Sequence, residues 1–247
     1  VWCSGWRLAA AVSNAGGLGL LGAGSMHPET LREHIRKCHE ATHHAFGVNI
    51  PLMYPQIEEI MQIVADEGVK IVFTSAGSPK KWTGWLHERG ITVVHVVSSS
   101  RFAVKAEEAG VDAVVAEGFE AGGHNGREET TTLCLIPAVR AVTTLPLIAA
   151  GGIATGEAML AARVLGAEGV QIGTRFALTA ESSANEVFKD YCLHLEEGDT
   201  RLLLKKLAPV RLVRNNFRSA VEAAEAVGAS EEELRILLGR GRAKRGI

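Results

Sequence analysis

The sequence predicts an α/β fold of the TIM (β/α)8 barrel type, and three observations lead there. Short, near-continuously apolar runs alternate with amphipathic stretches along most of the chain, which is the pattern of repeated βα units. The runs are apolar at consecutive positions, as parallel strands covered on both faces require. Four of the amphipathic stretches close on glycine just before the next run, at Glu67-Gly68-Val69, Arg89-Gly90-Ile91, Ala109-Gly110-Val111 and Leu165-Gly166-Ala167. Glycine adopts the left-handed conformation of a helix cap without steric penalty. The 247 residues can bury a sizeable core.

The elements follow in order. A helix over residues 5–13 comes first, with no strand ahead of it. Strands are expected at 18–24, 46–50, 70–75, 92–97, 113–117, 145–150 and 169–173, and helices at 29–40, 55–67, 79–89, 100–109, 133–142 and 156–165. In the second of these helices Ile57, Ile60, Met61 and Val64 recur at three and four residues, placing them on one face. The strands number seven, whereas a closed barrel of this type has eight. The expected first strand would therefore lie before Val1. The alternative, an open dinucleotide-binding sheet, would carry G-x-G-x-x-G after its first strand. Gly17-Leu18-Gly19-Leu20-Leu21-Gly22 matches in spelling, but its glycines run into the strand instead of following it, so the match is read as fortuitous.

Residues 1–200 are assigned to the barrel, and 201–247 to a C-terminal helical extension packed on it, with helices at 220–227 and 231–238. The basic run Gly239-Arg240-Gly241-Arg242-Ala243-Lys244-Arg245 is read as a solvated loop.

A net charge of −2 gives no electrostatic reason to expect nucleic acid or an anionic membrane as partner. No apolar run reaches the roughly 18 residues of a membrane span, and no secretory leader is seen. A cytoplasmic location is expected. Cys3, Cys38, Cys134 and Cys192 are widely spaced, which fits reduced thiols better than disulfides or a zinc site. No His-x-x-x-His pair or carboxylate cluster falls at the strand ends, so no metal is expected.

In a barrel, function collects on the loops that follow the strands. Those ends are small and polar here: Gly22-Ala23-Gly24, Asn49, Thr74-Ser75-Ala76-Gly77, Glu117, Gly151-Gly152, and Gln171 with Gly173-Thr174. Such residues leave room for a flat ring. The richest segment is residues 116–126, where Glu117 is followed by Gly122, Gly123 and His124. Glycines permit close backbone approach to a flat or anionic ligand, and histidine titrates near neutrality. His124 is the candidate acid, base or electrostatic anchor; the other histidines are read as surface or packing residues in helices and loops. The loops at Gly151-Gly152 and Gly173-Thr174 follow the last two strands, where barrels often bind phosphate. Thr155 is a good N-cap for the helix after the first of these.

The order of these motifs resembles the FMN-dependent family of nitronate monooxygenase and enoyl-acyl carrier protein reductase II. The resemblance is carried by Ser13-Asn14-Ala15-Gly16-Gly17-Leu18-Gly19, Phe46-Gly47-Val48-Asn49-Ile50, Ala116-Glu117-Gly118, Glu120-Ala121-Gly122-Gly123-His124, Ala149-Ala150-Gly151-Gly152-Ile153 and Gln171-Ile172-Gly173-Thr174-Arg175. It extends to about Phe176 and weakens beyond.

The resemblance implies a barrel with FMN at its mouth. It implies flavin contacts near Ala23, Asn49 and Glu117, with the phosphate on Gly151, Gly152, Gly173 and Thr174; Gly24, Gly122, Gly123 and Gln171 are read from the strand ends themselves as further cofactor-binding candidates. It also implies that His124 faces the substrate beside the flavin. The family's first strand ends in a Gly-Gly-Met-type stretch that this sequence lacks, in keeping with the strand count. Residues 46–51, Glu67-Gly68-Val69-Lys70 and Thr130-Thr131-Thr132 look closer to the reductase branch. That branch implies NADH or NADPH as reductant and a small-molecule or acyl-carrier-protein-bound enoyl thioester as substrate. The alternatives are a nitronate monooxygenase and a non-catalytic flavin-binding scaffold, the last opposed by the intact His124 and glycine loops. A homodimer is the assembly such a family makes possible.

Overall fold

The computed structural model describes residues 3–239. Helix α1 (Trp6–Asn14) leads into strand β1 (Gly19–Gly22). A side chain at Gly19 would bring its Cβ within 1.9 Å of the Ala9 carbonyl oxygen. The glycine of the fortuitous dinucleotide pattern thus lets helix and strand touch.

Four helix–strand units follow: α2 (Pro28–Ala41), β2 (Phe46–Pro51), α3 (Ile57–Asp66), β3 (Ile71–Ser75), α4 (Lys80–His87), β4 (Thr92–Val97), α5 (Ser100–Glu108) and β5 (Ala113–Glu117). After β5 comes a two-residue strand β6 (Gly123–His124), then α6 (Thr132–Arg140), β7 (Leu147–Ala150), α7 (Gly156–Val164) and β8 (Gly169–Gln171). The main sheet is parallel, with spatial order β1-β2-β3-β4-β5-β7-β8.

Alternate residues of each strand enter different cores, as the two-residue period of a strand requires. Val72, Val93, Val97, Val114, Ala116, Leu147 and Ala149 pack outward among the helices. Phe73, Val94, Ala113, Val115 and Ala150 pack together inside the curl, with Leu20, Val96 and Ile148 against them. The sheet is therefore a curled half-barrel with its own interior. Strands β1 and β8 are its two edges, and every residue of β8 is only half-buried. The strand expected before Val1 falls outside the described residues.

The remaining chain forms α8 (Thr174–Ala177), α9 (Glu186–Leu193), β9 (Thr200–Leu203), β10 (Val210–Val213), α10 (Asn216–Ala226) and α11 (Glu231–Leu238). The sequence reading of this tail as helices alone needs correction. Strands β9 and β10 pair antiparallel, and β6 joins as a third strand beside β10. Leu203, Leu204, Val210, Leu212, Val221 and Leu234 form a separate small core beneath them. The basic run from Arg240 to Arg245 lies outside the described residues.

Candidate functional site

Strand alternation decides what faces the mouth. On β5, Val115 packs inward and Ala116 outward, so Glu117 turns inward where the strand ends. Glu117 sits opposite Ala150 on β7, and Ala150 sits opposite Gln171 on β8. These three residues form one row across the sheet. On the far side Val48 and Ile50 pack outward, which turns the half-buried Asn49 inward. Asn49 lies opposite Gly22 of β1 and Phe73 of β3. Ala23 is buried just past β1, and Gly24 follows it in a single 3-10 turn.

Two polar side chains of the Glu117 row face the interior. Burial, with no cation to offset it, pushes the Glu117 carboxyl up to about 7. The Gln171 Oε1 atom is buried without a hydrogen-bond partner. A buried polar group left unpaired is costly, and such groups at a barrel mouth suit a polar, flat ligand. The residues therefore fit a flavin ring: Asn49, Glu117 and Gln171 supply polar groups, and Ala23, Gly24 and Ala150 supply space.

The loops after β5 and β7 are locked together. The Gly118 amide donates to the Ala150 carbonyl at 2.9 Å. Both oxygens of Glu120 accept from the Thr132 amide at 3.1 and 3.0 Å. The Thr132 hydroxyl lies 3.0 Å from Glu120 Oε2 and 2.8 Å from the Gly151 carbonyl. Gly151 and Gly152 take φ values of +103° and +68°, a region that disfavours other residues. Thr155 caps α7 by accepting from the Ala158 amide at 3.3 Å. Across the gap, a Cβ at Gly122 would lie 3.2 Å from Thr174 Oγ1. A Cβ at Gly173 would meet nothing within 4 Å. The two expected phosphate loops thus flank the Gly118–Gly123 turn, with open space at Gly173.

His124 is exposed on β6, yet the surrounding protein still lowers its pKa by desolvation. Next to it, the Asn125 Nδ2 group donates to the carbonyls of Ala121 and Gly123 at 2.8 and 3.1 Å. Asn125 Oδ1 is buried and unpartnered.

One histidine departs from the sequence reading. His95 lies on strand β4, not on a helix or loop, and is 6% exposed. Its Nδ1 is 2.7 Å from Thr74 Oγ1, and it also bonds with the Gly77 backbone. Burial lowers its pKa to about 4. Glu120, Thr132 and Asn125 also shape the loops here, although none is among the site residues expected from the sequence. For Glu120 the available signal was a carboxylate inside a glycine-rich segment, followed twelve residues later by a helix start.

Among the described residues no three His, Cys, Asp or Glu side chains gather where they could hold a metal ion. No described helix is long and apolar enough to cross a membrane.

The nitronate monooxygenase family model matches residues 1–62 and 56–239. A probable nitronate monooxygenase of Staphylococcus aureus is 32% identical over 238 residues, covering 78% of this chain and 67% of the relative. A Mycobacterium tuberculosis protein, (3aS,4S,5R,7aS)-5-hydroxy-7a-methyl-1-oxo-octahydro-1H-indene-4-carboxyl-CoA dehydrogenase, is 36% identical over 191 residues, covering 76% of this chain and 53% of that protein. Among solved structures, FabK from Thermotoga maritima superposes with a TM-score of 0.91 at 40% identity, over 98% of this chain and 78% of that one. The nitroalkane oxidase of Streptomyces ansochromogenes gives a TM-score of 0.85 at 28% identity, over 99% of this chain and 83% of that one.

Proposed function

The chain belongs to the nitronate monooxygenase family and is an FMN-dependent oxidoreductase, and from that premise we propose that it reduces enoyl thioesters as an enoyl-acyl carrier protein reductase II. In this reading NADH or NADPH is the reductant. Asn49, Glu117 and Gln171, with Ala23, Gly24, Gly122 and Gly123 close by, hold the flavin ring. Gly151, Gly152, Gly173 and Thr174 hold its phosphate. FMN, when bound, supplies hydride transfer between the nicotinamide and the enoyl β-carbon, chemistry that no side chain here provides.

The chain's own residues prepare the substrate. His124 stands at the mouth as a neutral imidazole and donates a hydrogen bond to the thioester carbonyl. That bond draws electron density toward the oxygen while the β-carbon accepts hydride. Solvent supplies the proton to the α-carbon. Glu117, half protonated near neutrality, offers a hydrogen bond to the ring without a full buried charge.

One observation supports the choice of substrate: the likeness to FabK from Thermotoga maritima, at 40% identity and a TM-score of 0.91, is stronger than the likeness to the nitroalkane oxidase, at 28% and 0.85. The nitronate monooxygenase reading is supported by the names of the curated relatives.

Anaerobic exposure of the yellow protein to NAD(P)H, and separately to an alkyl nitronate, tests the choice. Bleaching by NAD(P)H is expected. Bleaching by the nitronate alone would establish the monooxygenase in its place, and bleaching by neither would leave a scaffold.

A further inference from the structure

The loop that carries His124 is gripped from the C-terminal segment. Strand β6 pairs with β10 in the register His124 to Val210 and Gly123 to Arg211, and the Asn125 amide donates to the Pro209 carbonyl at 2.8 Å. The Arg211 side chain then reaches back across the loop. Its Nε and one terminal nitrogen donate to the Phe119 carbonyl at 3.2 and 2.8 Å, and its guanidinium carbon lies 5.2 Å from the centre of the Phe119 ring. The other terminal nitrogen reaches Thr200 Oγ1 at 3.3 Å. Two nearby contacts join the same pieces: Arg127 donates to the Leu207 carbonyl at 2.8 Å, and Lys205 pairs with Glu129 at 2.5 Å.

The stretch from Phe119 to His124 therefore has two anchors. One is the Glu120–Thr132 junction on the barrel side. The other is Arg211, a planar fork that fixes a carbonyl and stacks on a ring together, which a point-charge ammonium cannot do. A strand of two residues has little cohesion of its own, so its position is set by these outside contacts.

We infer that Arg211 is a positioning residue, holding the Phe119–His124 loop so that His124 meets its substrate at the mouth. The inference rests on the reading of His124 as the residue that faces substrate. It makes the C-terminal β9–β10 hairpin a working part of the site, although it lies outside the barrel sheet.

Arg211→Ala, Arg211→Lys, His124→Ala and the double variant in the FMN-loaded chain test it, with Arg201→Ala as control. Arg201 lies on the same small sheet but pairs with the Glu222 side chain, away from the loop. Arg211→Ala is expected to retain FMN and lower kcat about 10- to 100-fold, the scale of a misplaced reacting group, while KM moves less than about twofold. Arg211→Lys recovers part of kcat, and Arg201→Ala leaves it unchanged. In the His124→Ala background, adding Arg211→Ala changes nothing further, as expected for two residues acting through one. In FMN-free protein, hydrogen exchange of peptides spanning residues 119–126 accelerates in Arg211→Ala.

Wild-type kcat in Arg211→Ala beside an inactive His124→Ala overturns the inference and leaves the reading of His124 standing. Additive losses in the double variant overturn it too. So does loss of fold and flavin in both Arg211 variants, which would make Arg211 a residue of stability alone. Full activity in His124→Ala overturns the underlying reading itself.

Discussion

Glu120 caps a helix that its own N-cap residue leaves uncapped: both Glu120 carboxylate oxygens accept from the Thr132 amide, and Oε2 also lies 3.0 Å from the Thr132 hydroxyl. The ordinary capping position, Thr131, makes no side-chain cap bond. The first turn of α6 is thus satisfied by a residue from the loop after β5, and the Thr132 hydroxyl extends the junction to Gly151. Charge-assisted bonds of this kind exceed neutral ones in strength.

Thr132→Val keeps the side chain's shape and removes its hydroxyl. It is expected to lower stability in urea unfolding by about 1–2 kcal/mol and to weaken FMN retention through the Gly151 loop. Thr131→Ala is expected to change stability by less than about 0.5 kcal/mol. Equal losses in the two variants would show that Thr131, not the Glu120 junction, secures the helix start.

This junction marks where sequence reasoning stopped. The βα alternation was legible because buried parallel strands are apolar at consecutive positions, and the strand ends then placed Asn49, Glu117 and Gln171 together at one mouth. The hairpin was missed for a local reason. Thr200-Arg201-Leu202-Leu203 and Val210-Arg211-Leu212-Val213 are four-residue runs with charge inside them, too short for periodicity to separate strand from helix. Gly123–His124 becomes a strand only through its partner β10, a long-range contact with no local signal. His95 was passed over because a polar residue among valines carries no mark of the buried Thr74 hydroxyl beside it.

Glu117 and His95 oppose each other in acid. The folded-state pKa of Glu117, about 7, stands above its ordinary value. Proton binding by Glu117 therefore stabilises the fold fully below about 4.5, an advantage lost as pH rises to about 7. The folded-state pKa of His95, about 4, stands below its ordinary value. The neutral buried ring contributes stability fully above about 6.5, lost as pH falls toward 4. Glu117→Gln in FMN-free protein should raise the melting temperature above pH 7, where the wild type buries a carboxylate, with an effect of order 1–3 kcal/mol. It should also leave the His95 loss unopposed, so the variant's stability falls more steeply between pH 6.5 and 4.5. An equal effect of Glu117→Gln at pH 4.5 and pH 8 would contradict this.

The glycines of the two phosphate loops should fail differently. At Gly151 the positive φ is strained for alanine, and a Cβ would lie 2.7 Å from the Gly118 carbonyl. Gly151→Ala is expected to lose about 2 kcal/mol of folding stability or more. At Gly173 φ is −103° and a Cβ meets no atom within 4 Å. Gly173→Ala should fold as the wild type does while FMN affinity, measured by fluorescence titration, falls about tenfold or more, about 1.4 kcal/mol. Wild-type FMN affinity in Gly173→Ala would remove that loop from the phosphate site.

The most direct test of the account is anaerobic stopped-flow reoxidation. Wild-type protein and His124→Ala, each first bleached with NAD(P)H, are mixed with a crotonyl thioester, and the return of yellow colour is timed. The account predicts rapid recovery in the wild type. His124→Ala should retain its FMN but recover about 100-fold more slowly or worse, the usual scale for a lost hydrogen-bond donor at a carbonyl oxygen gaining negative charge. Recovery at equal rates in both proteins, or no recovery in the wild type, would contradict it.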